Sequence, residues 1–85
     1  MTELEFDILD ELYFVIGFKE LTDTLAMEET LLKEQLLNLI EKGWVKIMEP
    51  ISDVEVESTS DFDVRYKDYF YLATKKGLMA HNLKS

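Results

Sequence analysis

Hydrophobic positions recur along the first half of the chain at helical spacing. Leu4, Ile8, Leu12 and Ile16 fall four residues apart, flanked by Leu9, Tyr13 and Val15. Thr2-Glu3-Leu4-Glu5 has the form of a capping box, with Thr2 as cap and Glu5 folding back on it. The pattern predicts a first helix through Ile16, stopped by Gly17. Asp7, Asp10 and Glu11 mark its wet side, and Phe6 and Phe14 lie off its central stripe. Lys19 to Leu25 reads as a short second helix with Leu21 and Leu25 facing inward, followed by a turn at Ala26-Met27. Glu28 to Lys42 is the best-formed helical segment. Leu32, Leu36, Leu39 and Ile40 make its apolar face, acidic residues open it, Lys42 ends it, and Gly43 stops it.

After Gly43 the period changes to that of strands. Trp44 to Met48 is one candidate strand, interrupted by Pro50, and Asp53 to Glu57 alternates with period two. Ser58-Thr59-Ser60-Asp61 reads as a polar turn. Val64 to Ala73, rich in aromatic and β-branched residues, reads as a long return strand. Thr74 is placed to cap a short final helix from Lys75 to Leu83, which Gly77 weakens. The expected fold is α+β within one domain spanning residues 1–85. It is a winged helix: a three-helix bundle with a helix-turn-helix at about 19–42, a β-hairpin wing at about 44–73 and a short C-terminal helix.

Charge changes this picture. The chain carries a net charge of −9, and residues 1–42 hold 11 acidic and 3 basic side chains, against 7 and 6 in residues 43–85. Such a field repels phosphate backbones and anionic membranes and favours a basic protein partner. There is no cysteine, which removes disulfides and thiolate chemistry and fits a reducing, cytoplasmic location. No apolar run has the length of a membrane span, and the acidic N-terminus is unlike a signal peptide.

The stretch from Leu21 to Val45 resembles the helix-turn-helix of MarR-like and PadR-like winged-helix regulators. Leu21 and Leu25 match the leucines that pin the second helix, Leu32, Leu36 and Leu39 those of the recognition helix, and Gly43-Trp44-Val45 the opening of the wing. Tyr71-Leu72-Ala73-Thr74-Lys75-Lys76-Gly77 is similar to the Tyr-x-Leu-Thr-x-x-Gly segment that ends the wing, with Ala73 inserted. The resemblance implies transcription regulation by sequence-specific DNA binding, with the third helix in the major groove. It also implies dimerisation through terminal helices, for which Phe6 and Phe14 are the candidate contacts.

The departures fall on functional positions. Helical spacing puts Thr30, Lys33, Glu34, Leu37 and Glu41 on the exposed face of the third helix, the candidate partner-binding face. Glu34 stands where the family commonly has Arg, and Leu37 where a polar or basic residue is usual. Asp53, Glu55, Glu57, Asp61 and Asp63 crowd the wing end, with only Arg65 and Lys67 as candidate wing contacts. DNA affinity rests on phosphate neutralisation by Lys and Arg. The acidic run reads as a solvated edge that blocks aggregation rather than as an oxygen-ligand metal site. His81, without a nucleophile beside it in sequence, reads as a surface residue. No phosphate loop or catalytic motif is present. The sequence therefore predicts a binding module without catalytic residue, metal or cofactor, acting through a protein partner. The alternative is a dimeric DNA-binding regulator.

Overall fold

The computed structural model describes residues 1–50 and 54–84. They form a small mixed α+β domain of five helices and a four-stranded antiparallel sheet. The helices are α1 (Glu3–Glu11), α2 (Phe18–Leu25), α3 (Glu29–Glu41), α4 (Phe62–Arg65) and α5 (Lys75–Lys84). The strands are β1 (Ile16–Gly17), β2 (Val45–Met48), β3 (Glu55–Val56) and β4 (Phe70–Ala73), in the order β1-β4-β2-β3.

The capping box of α1 is formed. The Thr2 amide donates to Glu5 Oε1 at 2.9 Å, and the Glu5 amide donates to Thr2 Oγ1 at 3.1 Å. The helix is shorter than the periodicity predicts, because it stops at Glu11 with Leu12 as C-cap. The chain then straightens so that Ile16 and Gly17 pair with Tyr71 and Phe70. The Ala73 amide donates to the Leu12 carbonyl at 2.9 Å, which ties the helix end to β4. Gly17 is accordingly the N-cap of α2, not the stop of α1.

Helix α2 ends on Ala26 in the left-handed region (φ 51°), uncommon for a residue with a Cβ. The Met27 amide reaches back to the Thr22 carbonyl there. Helix α3 starts on Glu28, whose carboxylate accepts the Leu31 amide, and closes at Gly43 (φ 79°). Leu32, Leu36 and Leu39 are fully buried against Ile8, Leu9, Leu12 and Leu21. Each such leucine contributes about 1.5–3 kcal/mol through burial.

The alternation of β2 buries Val45 and Ile47, and β4 answers with Tyr71 and Ala73, in the register Val45 to Ala73 and Ile47 to Tyr71. The return strand expected over Val64–Ala73 is only its last four residues. Before it, Phe62–Arg65 makes one turn of helix that buries Phe62 and leaves Val64 in solvent. The strand expected over Asp53–Glu57 is two residues long where described, Glu55 and Val56 on Met48 and Ile47, and Asp53 lies outside the described residues.

Gly77 does not weaken α5. A Cβ there would lie 2.1 Å from the Trp44 carbonyl oxygen, so glycine lets α5 rest directly on the backbone that opens β2. Thr74 completes the junction. Its hydroxyl donates to the Gly43 carbonyl at 2.6 Å and accepts the Gly77 amide at 3.1 Å, while its amide donates to the Trp44 carbonyl at 2.9 Å. No helix among the described residues is long and apolar enough to cross a membrane.

Candidate interaction surfaces

The candidate face of α3 is less basic than its sequence. Thr30, Glu34 and Glu41 are exposed, but Leu37 is half-buried and packs against the core. Lys33 is half-buried as well. Its ammonium contacts Asp63 at 2.9 Å and lies 4.9 Å from the centroid of the Tyr66 ring. The hydrogen bond to Asp63 holds the Lys33 pKa above its ordinary value.

This arrangement follows from α4. Phe62 and Tyr66 are one helical turn apart and point the same way. Phe62 is buried and lies edge-on to Tyr71, and Tyr66 lies edge-on to Phe18 at the start of α2. Residues 62–67 therefore fold back against α2 and α3 and bring Asp63 to Lys33 and Lys67 to Glu29.

Arg65 and Lys67, expected on the return strand, sit instead at the end of α4 and just after it. Both are engaged. Arg65 pairs with Glu49 at 3.3 Å and lies over the Tyr69 ring, and Lys67 pairs with Glu29 at 3.0 Å. The Glu49 charge raises the Arg65 pKa, and the hydrogen bond to Glu29 raises that of Lys67. Both cations are fixed in the charged state while turned toward carboxylates. Lys42 pairs with Glu5, a carboxylate only 6% exposed. Burial alone would raise the Glu5 pKa. Hydrogen bonds from Lys42 and the Thr2 amide, with the Lys42 charge, outweigh it and hold the carboxyl below its usual 4.5.

His81 is buried rather than on the surface. Its ring stacks on Phe6 with centroids 4.2 Å apart, and Nδ1 lies 2.9 Å from the Tyr13 hydroxyl. Nε2 comes within 3.2 Å of Asp10 Oδ1 but out of hydrogen-bond alignment, so the contact is one of proximity only. Tyr13 also donates to Asn82 Oδ1 at 3.0 Å. The cluster clasps α5 to α1. Phe6, a candidate self-association residue, is thus half-covered by its own chain, whereas Phe14 is 81% exposed.

At least two concavities lie among the described residues. One, of about 440 Å³, lies between α2 and the start of α3 and includes Thr22, Asp23, Glu29 and Lys67. Another, of about 510 Å³, is an apolar groove between Trp44 and α5, lined on its helix side by Lys75, Lys76, Met79, Ala80 and Leu83. Sequence reasoning missed Trp44 as a surface residue because it heads a strand. Its position before the buried Val45, on the opposite strand face, was the available signal. Among the described residues no group of three or more His, Asp or Glu side chains could hold a metal ion.

No family model, no curated protein and no solved structure matches the chain.

Proposed function

We propose that this domain is a non-catalytic binding module of winged-helix type whose partner is a protein. The order of α1, β1, α2, α3, β2 and β4, with β4 between β1 and β2, supports the winged-helix reading. The added β3 and α4 occupy the connection that would otherwise be a free wing.

One observation carries the choice of partner. A DNA reader with this topology would draw its phosphate contacts from Lys33, Lys42, Lys46, Arg65 and Lys67. Four of these five pair with Asp63, Glu5, Glu49 and Glu29. Specific DNA binding commonly takes about 6–10 phosphate contacts, and each of these four cations would have to leave a carboxylate to make one. The second reading, a dimeric DNA-binding transcription regulator, draws on the exposure of α3 along Thr30, Glu34 and Glu41.

Selection of duplexes from a randomised pool by the full chain tests the choice. The proposal expects no enriched motif over successive rounds. A reproducible motif that survives physiological salt would overturn it in favour of the regulator.

A further inference from the structure

We infer that the groove between Trp44 and α5 is a docking site for an acidic amphipathic segment of another protein. The inference rests on the protein-binding reading above and adds the surface and the chemistry of its partner.

Two independent features mark the groove. The first is apolar exposure. Met79 is 57% and Leu83 86% exposed, on the same side of α5, and Trp44 is half-buried between them and β2. Residues four apart on a helix lie above one another, so Met79 and Leu83 form a continuous apolar stripe. The second is charge. Residues 74–85 carry three lysines and no carboxylate, in a chain whose net charge is −9. The lysine and arginine ion pairs among the described residues use Lys33, Lys42, Arg65 and Lys67 and leave out Lys75 and Lys76. Both residues are exposed and line the groove at the first turn of α5.

Charge selects the occupant. A symmetric pair of chains joined through this groove would bring together two copies of a segment that carries three lysines and no acidic side chain, with no carboxylate in the lining to offset them. A basic segment would meet the same repulsion. A segment with apolar side chains at helical spacing and carboxylates at one end satisfies both features. No carboxylate lines the groove, and at physiological salt charges more than about 8 Å away are largely screened. That acidic remainder disfavours the same segment elsewhere on the surface and fixes where it docks.

The junction beneath the groove is preorganised. Thr74 and Gly77 hold α5 on the Gly43 and Trp44 backbone, so the walls keep their spacing without a ligand.

Selection from a random peptide library on the full chain tests the inference, with fluorescence of Trp44, the single tryptophan, as readout. Enriched peptides should carry Asp or Glu beside apolar residues spaced three or four apart, and a synthetic representative should shift the Trp44 emission. Lys75→Glu/Lys76→Glu should weaken that peptide roughly tenfold or more and reverse the preference toward its Lys-substituted counterpart. Met79→Asp and Leu83→Asp, at exposed positions, should abolish the emission change while the circular dichroism of the chain stays unchanged. Neutral or basic winners, no winners, binding indifferent to these substitutions, or self-association that shields Trp44 would each overturn the inference. Enrichment of a duplex motif would instead remove the protein-binding reading and leave the Trp44 readout intact, so the two failures are distinguishable.

Discussion

Gly77 lies against the carbonyl of Trp44 so closely that an added Cβ would come within 2.1 Å of the oxygen. Helix propensity alone makes Ala at this position more stable by about 1 kcal/mol. The contact reverses the sign, because the Trp44 carbonyl already accepts the Thr74 amide and cannot move freely. Gly77→Ala should therefore destabilise the domain by about 1–3 kcal/mol. Urea unfolding of the two chains measures this, and an alanine variant as stable as the parent would mean that α5 sits off the β2 backbone.

Glu5 and Lys42 join the start of α1 to the end of α3. Because the folded Glu5 carboxyl is held below 4.5, the interaction contributes fully above that pH and is lost as pH falls through the depressed folded value. Glu5→Gln should cost about 1–2 kcal/mol near neutrality, since Lys42 is half-exposed. The difference should shrink as thermal melts are taken to pH values below 4.5. A difference that persists undiminished in acid would show that the carboxylate charge is not the source.

Leu36 and Leu37 are adjacent on α3 but differ in environment. Leu36 is fully buried, so Leu36→Ala should cost about 2–5 kcal/mol by cavity formation. Leu37 is half-buried and also packs on the core, so Leu37→Ala should cost less but more than a surface change. Equal denaturation midpoints for the two variants would contradict the observed register of α3.

Phe62 anchors α4. Amide hydrogen exchange should show protection at the Arg65 and Tyr66 amides, which bond to Asp61 and Phe62, and little protection over Glu57–Ser60. Phe62→Ala should remove the α4 protection and release Lys33 from Asp63. Unchanged exchange in that variant would mean that the ion pairs alone hold α4 in place.

How much of this was legible in the sequence depends on element length. The α3 register, the Thr2 cap and the Gly43 stop were readable because several leucines repeat over many turns and the caps are local chemistry. The run Leu12 to Ile16 misled because an apolar strand entering a sheet edge is indistinguishable, over so few residues, from the continuation of an apolar helical face. Helix α4 is a single turn, too short for periodicity, and its only trace was the four-residue spacing of Phe62 and Tyr66. The ion pairs could not be read at all. Lys33 and Asp63, or Lys42 and Glu5, are far apart in sequence, and only the folded connection decides which carboxylate meets which cation. His81 was misjudged for a related reason, since its partners Phe6, Tyr13 and Asp10 lie at the other end of the chain.

Lys33, Lys42, Arg65 and Lys67 pair with carboxylates that compete with phosphate for them. Titration of labelled duplex DNA with the full chain at physiological salt, followed by anisotropy, tests it most directly. Dissociation constants weaker than about 10⁻⁶ M and indifferent to sequence are expected. Asp63→Asn with Glu34→Lys, which frees one cation and adds another, should tighten binding measurably. Tight, sequence-dependent binding by the unaltered chain would contradict the account.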